Sequence, residues 1–154
     1  VLGVTRLNDQ IMMSCSADRT VKLWDLRTKG CSATMLGHGG PVRDVIALSG
    51  NRLASSSSDG SIKVWDLVSQ SCLFTLQGHM DSVRGVAVVG ISLLVSGSMD
   101  GTVRLWEMRD GTCCSILREH SGGVSKVAAS GSHLFSSSLD HTVRVWGSLP
   151  YSTC

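Results

Sequence analysis

The sequence predicts an all-β molecule built from four tandem copies of one four-stranded antiparallel unit, the last copy incomplete. Three observations predict it. Four tryptophans, Trp24, Trp65, Trp106 and Trp146, stand 41, 41 and 40 residues apart, and spacing that regular marks a repeat. An aspartate precedes each tryptophan by six residues, at Asp18, Asp59, Asp100 and Asp140. Short β-branched runs alternate with Gly, Ser, Asn and Asp turns, and no window has helical periodicity long enough to compete.

Val1, Val42, Val83 and Val124 share one phase, so the units run 1–41, 42–82, 83–123 and 124–154. The second unit shows why each reads as four strands. Val42 to Leu48 is apolar and β-branched, and Ser49-Gly50-Asn51 turns the chain. Leu53 to Ser57 makes a second short strand. Ser58-Asp59-Gly60 turns again; Asp-Gly, repeated at Asp100-Gly101, is a strong hairpin signal. Ser61 to Trp65 alternates as a third strand should. After Leu67-Val68-Ser69-Gln70, Cys72 to Leu76 forms the fourth. The fourth unit is about ten residues short and lacks its fourth strand, so 15 strands are expected. Repeated four-stranded sheets of this length are the signature of β-propeller blades.

Gly37-His38, a serine-rich strand, a turn aspartate and then Trp65-Asp66 form a motif that returns from Gly78-His79 to Trp106-Glu107. This resembles the WD40 repeat, and the resemblance covers essentially the whole chain. Glu119-His120 departs from Gly-His, and Glu107 and Gly147 depart from the Asp after Trp. The resemblance implies a hydrogen-bonded tetrad in each blade: a turn Asp, a loop His, the Trp and a second-strand serine. Position by position these are His38, Asp59 and Trp65; His79, Asp100 and Trp106; and His120, Asp140 and Trp146. The serine is Ser55 or Ser57, Ser96 or Ser98, and Ser136 or Ser138. Asp18 and Trp24 have no partner histidine in the chain. A buried indole N–H and a buried carboxylate must both find partners, and His can bridge them. Three copies at one spacing read as architecture rather than as a Ser-His-Asp triad. Such rings usually close with about seven blades. The chain therefore reads as a partial propeller, completed by the rest of a ring or by a second copy.

Composition narrows the function classes. Twelve acids against 14 bases leave a net charge of +2, with no basic footprint for nucleic acid. Val86 to Val95, the longest nearly apolar run, is half the roughly 20 residues a membrane helix needs, and no signal segment precedes it. Membrane insertion is not expected; the cytoplasm is, with the nucleus as the alternative. Six cysteines include no Cys-x-x-Cys. Cys31, Cys72 and Cys113 open successive fourth strands and read as buried free thiols in a reducing compartment. Gly39-Gly40 and Gly122-Gly123 lack the Lys-Ser or Lys-Thr of a phosphate loop. No catalytic set, cofactor or metal is expected. Lys22, Lys63, Arg104 and Arg144 stand two residues before each Trp. They are expected to share its face, with packed stems and hydrated heads.

Propeller strands are consumed by packing, so function falls to loops and to positions that break the repeat. Arg43 and Arg84 follow the first-strand valine, where Leu2 and Ser125 stand in the other units. In F-box/WD40 ubiquitin-ligase receptors, which these repeats resemble, Arg at this position faces the partner and grips phosphorylated peptide. A guanidinium fork suits phosphate. The residue before the turn Asp is Ala17, Ser58, Met99 or Leu139. Ser58 joins the candidate partner-binding set, and Met99 and Leu139 add an apolar patch. Trp24-Asp25-Leu26-Arg27 looks like the Trp-Asp-x-Arg motif of receptors that dock on cullin-4 ligases, making Trp24, Asp25 and Arg27 candidate docking residues. The expected function is a non-enzymatic interaction scaffold for a protein or peptide, acidic or phosphorylated. Two alternatives stand beside it: the substrate receptor of a ubiquitin ligase, or the regulatory WD40 portion of a larger enzyme such as a DENN-type exchange factor or kinase-linked protein.

Overall fold

A computed structural model describes residues 1–131 and 133–147. Fifteen strands and no helix occur among them. The first sheet holds β1 (Gly3–Arg6), β2 (Ile11–Cys15), β3 (Val21–Asp25) and β4 (Gly30–Met35). The second holds β5 (Val42–Leu48), β6 (Arg52–Ser57), β7 (Ile62–Asp66) and β8 (Ser71–Leu76). The third holds β9 (Val83–Val89), β10 (Leu93–Ser98), β11 (Val103–Glu107) and β12 (Cys113–Leu117). Three strands make the fourth: β13 (Val124–Ser130), β14 (His133–Ser138) and β15 (Val143–Trp146). Every sheet is an antiparallel meander in chain order. The last unit is expected to run to residue 154, and its part beyond 147 lies outside the described residues. Among the described residues no helix is long and apolar enough to cross a membrane.

The 40-residue step to Trp146 has a local cause. Leu48 pairs with Arg52 and Val89 with Leu93, so three residues turn each hairpin. Ser130 pairs with His133, leaving two. The lost residue comes from a turn, so the ladder on either side keeps its phase. Gly60 and Gly101 occupy the Asp-Gly turns at φ of 82° and 80°, where a Cβ is disfavoured. Arg19 and His141 take this left-handed conformation in the outer sheets, at 71° and 66°.

Alternation gives each sheet two faces. One, here the onward face, meets the next sheet; the other is the rear face. Met13, Cys15, Val21 and Leu23 of the first sheet pack against Val45, Leu53 and Trp65 of the second. Ala54, Ile62 and Val64 then meet Val86, Leu94 and Trp106. Val95, Val103 and Leu105 meet Val127 and Leu134, with Trp146 packed alongside. The same three rear positions and the same onward positions recur at every junction. First strands lie inside: β5 packs on β1 and β2, β9 on β5 and β6, and β13 on β9 and β10.

Candidate partner-binding surface

Three buried polar sets hold one end of the strands. Trp65 Nε1–H donates to Ser55 Oγ at 2.8 Å, Ser55 Oγ lies 2.8 Å from His38 Nε2, and His38 Nδ1 lies 3.1 Å from Asp59 Oδ2. Trp106, Ser96, His79 and Asp100 repeat this at 2.8, 2.8 and 2.9 Å. Trp146, Ser136, His120 and Asp140 do so at 2.9, 2.7 and 2.7 Å. In the first sheet Trp24 donates to Ser14 at 2.8 Å. Asp18 accepts from the backbone and hydroxyl of Thr20.

The protons run one way. Burial pushes the His38 and His79 pKa values below their usual range, so both rings are neutral. Nδ1–H then donates to the carboxylate, Nε2 accepts from the serine hydroxyl, and that oxygen accepts from the indole. Burial works to raise Asp59 and Asp100. Hydrogen bonds from Ser61 and Gly39, or from Thr102 and Met80, outweigh it and bring both down to about 2.

In β6, β10 and β14 both candidate serines are used. Ser55, Ser96 and Ser136 join the tetrads. Ser57, Ser98 and Ser138 donate to the carbonyls of Gly40, Asp81 and Gly122 at 3.0, 3.0 and 2.9 Å. They also accept the N–H of Asp59, Asp100 and Asp140 at 3.1 Å. Sequence reasoning missed a fifth member. Ser61, Thr102 and Thr142 donate a hydroxyl to the aspartate at 2.6 Å and lie 3.1–3.4 Å from the histidine Nδ1. Their signal was available, because Thr20, Ser61, Thr102 and Thr142 all stand two residues after the turn Asp. Ser55, Ser96 and Ser136 are fully enclosed in the fold, so their hydroxyls serve the indole and the histidine rather than meeting a ligand. The arrangement pins the loop at 36–41, 77–82 or 118–123 to the adjacent hairpin.

Glu119 shows how one departure from Gly-His is absorbed. Gly37 and Gly78 have φ of 145° and 151°, and a Cβ at Gly78 would sit 2.6 Å from Arg104 Nη1. In the fourth sheet Glu119 instead accepts from Arg144 at 2.8 Å. Two of the other repeated cations are held by packing or a bond: Arg104 stacks 5.9 Å over the Trp106 ring, and Lys63 Nζ donates to Thr75 at 2.9 Å.

Arg43 and Arg84 share a special backbone position. Val42 pairs with Ser57 while Asp44 pairs with Ser56, so Arg43 is the extra residue of a β-bulge. Arg84 occupies the same bulge in β9 and Ser125 in β13. A bulge frees its residue from the ladder and re-aims its side chain. Arg43 Nε donates to Ser58 Oγ at 2.6 Å, and Ser82 Oγ donates to the same oxygen at 3.0 Å. Arg84 Nε is buried without a hydrogen-bond partner. Ser58, Met99 and Leu139 each donate a backbone N–H to the loop before the first strand of their own sheet, at Pro41, Ser82 and Gly123. The two apolar members separate there: Met99 folds over Gly123, where a Cβ would lie 2.7 Å from its Cε, while Leu139 is exposed. The 77–82 loop adds Met80, which is fully displayed at 89% exposure beside a cleft of about 360 Å³ floored by Asp59, Gly60 and His79.

Asp25 and Arg27 lie at the opposite end of the sheets, while the Trp24 indole is already engaged by Ser14, so the three candidate docking residues are not presented together. Asp25 Oδ1 accepts from the N–H groups of Arg27 and Thr28 at 2.7 and 3.0 Å, and Asp66 turns its hairpin in the same way. The Asp of this motif is thus employed in the turn, with Arg27 exposed beside it.

Two thiol expectations need correction. Cys31 and Cys72 are exposed and Cys113 is half-buried rather than buried, because fourth strands form the outer rim and lack a covering sheet. Cys114 is disulfide-bonded, against the reading of the six cysteines as free thiols rather than a disulfide framework. It is the bulged residue of β12, between Cys113 paired with Trp106 and Ser115 paired with Leu105, and is therefore released from the ladder. Cys15 fits the buried-thiol reading; burial raises its pKa to about 11. No cluster of potential metal ligands occurs among the described residues.

Comparison with known proteins agrees with this architecture. A family model described as WD domain, G-beta repeat matches residues 3–25, 29–66, 70–107 and 111–147. Superposition on the crystal structure of the WD40 beta propeller domain of Doa1 gives a TM-score of 0.90 over the whole chain at 24% identity. The chain spans 53% of that solved chain. A 41-residue stretch is 49% identical to "Probable E3 ubiquitin ligase complex SCF subunit sconB" of Aspergillus clavatus, covering 27% of this chain and 6% of the relative.

Proposed function

Because the chain belongs to the WD40-repeat family, we propose that it is a non-enzymatic scaffold whose tetrad-end loops engage a protein or peptide bearing acidic or phosphorylated side chains. The observation that carries this reading is the pair of bulged arginines on neighbouring sheets. Arg84 Nε makes no hydrogen bond within the fold, a status it shares with Arg104 and Arg144, but of the three only Arg84 stands on a bulge that frees it from the ladder. Arg43 stands on the equivalent bulge one sheet away, steadied by Ser58. A ligand bridging the two would receive charge-assisted bonds from donors that are already ordered, so little side-chain entropy is lost on binding. Met80, Met99 and Leu139 supply apolar contact beside this charge.

The test is fluorescence anisotropy with a phosphoserine peptide library and its unphosphorylated copy. Arg43→Glu with Arg84→Glu should weaken the phosphorylated binders at least about tenfold, since charged hydrogen bonds contribute roughly 1.5–3 kcal/mol each. Unchanged affinity would sink the reading. The similarity to the SCF subunit favours a second, finer reading, a substrate receptor of a ubiquitin ligase. Reconstitution of substrate ubiquitylation with the full-length protein would test that role separately.

A further inference from the structure

The third unit breaks the repeat twice at the end of the sheets opposite the tetrads, and both breaks fall at one corner. The first is Ile91, in the turn between β9 and β10, where the first two units have Asp9 and Gly50. Ile91 is 94% exposed, more than any other large apolar residue among those described. The second is Glu107, where Asp25 and Asp66 stand. Those aspartates fold back and cap their own turns. The third unit closes its turn differently. Asp110 Oδ1 accepts the Thr112 N–H at 2.9 Å, and the Gly111 N–H donates to the Glu107 carbonyl at 2.9 Å. The Glu107 carboxylate is thereby released from the turn.

The two breaks are tied together. Met108 N–H donates to the Ser92 carbonyl at 2.8 Å, which joins the turn after Glu107 to the turn that carries Ile91. An apolar groove of about 220 Å³ runs between this corner and the second sheet. Ala47 and Leu48 line it from the second sheet, and Val88, Ile91 and Met108 from the third. Met108 is buried in the core between these sheets, whereas Ile91 stands open. Both sheets have neighbours on either side, so the walls of the groove are complete. Glu107 and Arg109, which flank Met108 in the chain, line a polar recess of about 300 Å³ with Asp110 and Thr112. The charges here do not balance. Arg109 lies 3.9 Å from Asp110. Arg52 donates to the Ser49 carbonyl at 3.2 Å and pairs across the strands with Asp66. Each base has an acid beside it, and Glu107 is the carboxylate left over.

We propose that this corner is a second docking site, for an extended segment of a partner protein that presents a branched aliphatic side chain next to a lysine or arginine. The aliphatic side chain fills the groove against Leu48, Val88 and Met108 and covers Ile91, and the apolar area removed from water drives binding. The basic side chain meets Glu107. An exposed ion pair adds little affinity, but it selects which partner fits. Groove and carboxylate are one residue apart in the chain, at Met108 and Glu107, so one short segment spans both. The site lies at the opposite end from Arg43 and Arg84 and asks for the opposite charge, so the two proposals fail separately.

Selection of phage-displayed random dodecapeptides on the protein, followed by fluorescence anisotropy of the enriched peptides, tests it. The expected peptides carry Ile, Val or Leu within two residues of Lys or Arg. Their binding should shift the amide NMR signals of Ser49, Ile91 and Glu107. Ile91→Ser should weaken them at least about tenfold, the loss expected when one aliphatic side chain is no longer covered. Glu107→Lys, selected afresh, should turn the preference to Asp or Glu beside the same aliphatic residue, an inversion that a merely structural glutamate would not produce. Leu73→Ser, exposed on β8 and outside the groove, should change nothing. Near-UV circular dichroism of the tryptophans checks folding in every sample. If Glu107→Lys does not fold, Glu107→Gln should abolish the preference for a basic neighbour. A selection without the aliphatic–basic pair, affinity indifferent to Ile91→Ser, or a charge preference indifferent to residue 107 overturns the proposal. Self-association of the parent chain that Ile91→Ser abolishes also overturns it, because the occupant is then a second copy.

Discussion

A single serine shows how tightly these side chains are coupled. Ser96 Oγ receives the Trp106 indole and meets His79, all three buried. Ser96→Ala leaves the donor and the acceptor unmatched, and should destabilise the chain by about 1–3 kcal/mol in urea titration. The proton order also sets a pH dependence. His38 and His79 have lowered pKa values in the folded chain, from an ordinary 6.5, and Asp59 and Asp100 fall from 3.8 to about 2. Between each folded value and its ordinary one, the unfolded chain binds more protons, so stability drops as pH drops. The histidine contribution is complete above the ordinary histidine value and declines below about pH 6.5; the aspartate contribution declines from about pH 4 toward 2. The melting temperature should therefore fall from pH 7 to pH 5 and fall again below pH 4. A flat profile between 7 and 5 would contradict neutral buried rings. The Trp, His and Asp positions were legible in the chain because each recurs with its residue type intact. The choice between Ser55 and Ser57 was not, because strand alternation puts both on one face and a hydroxyl serves either partner.

At the scale of the element, glycines mark where sheets come closest. A Cβ at Gly97 would lie 2.5 Å from Val124 Cγ1 and 2.9 Å from Val127 Cγ1. Gly97→Ala should wedge the third and fourth sheets apart and lower stability by roughly 1–3 kcal/mol, the range of core overpacking. Gly131→Ala, with open space around it, should show only the smaller penalty of its positive φ. Comparing the two by thermal melts separates steric from backbone effects. Strand order was readable from the 41-residue phase and the Asp-Gly turns. The bulges at Arg43, Arg84 and Cys114 were not, since an added residue leaves no mark in composition or alternation and emerges only from pairing. The exposed Cys31 and Cys72 escaped for a related reason. Repetition told that their environments match but not whether the shared environment is core or rim.

For the whole molecule, burial is graded from the middle outward. All six residues of β10 are buried, and five of six in β6, whereas β1 and β15 are buried at no position. Repeat arrays owe their stability to nearest-neighbour junctions, so terminal sheets are the least protected. Amide exchange should be slowest in β6 and β10 and faster by an order of magnitude or more in β1 and β15, with the gap narrowing wherever the end faces become covered. The bulged residue on three of the four inner strands carries a consequence for design. Arg43, Arg84 and Ser125 stand outside the ladder, outside the tetrads and outside the three cores. A combinatorial library randomised at those three codons would vary the surface proposed to meet a ligand while leaving the folding instructions untouched. New recognition could then be selected from this chain without re-engineering its scaffold.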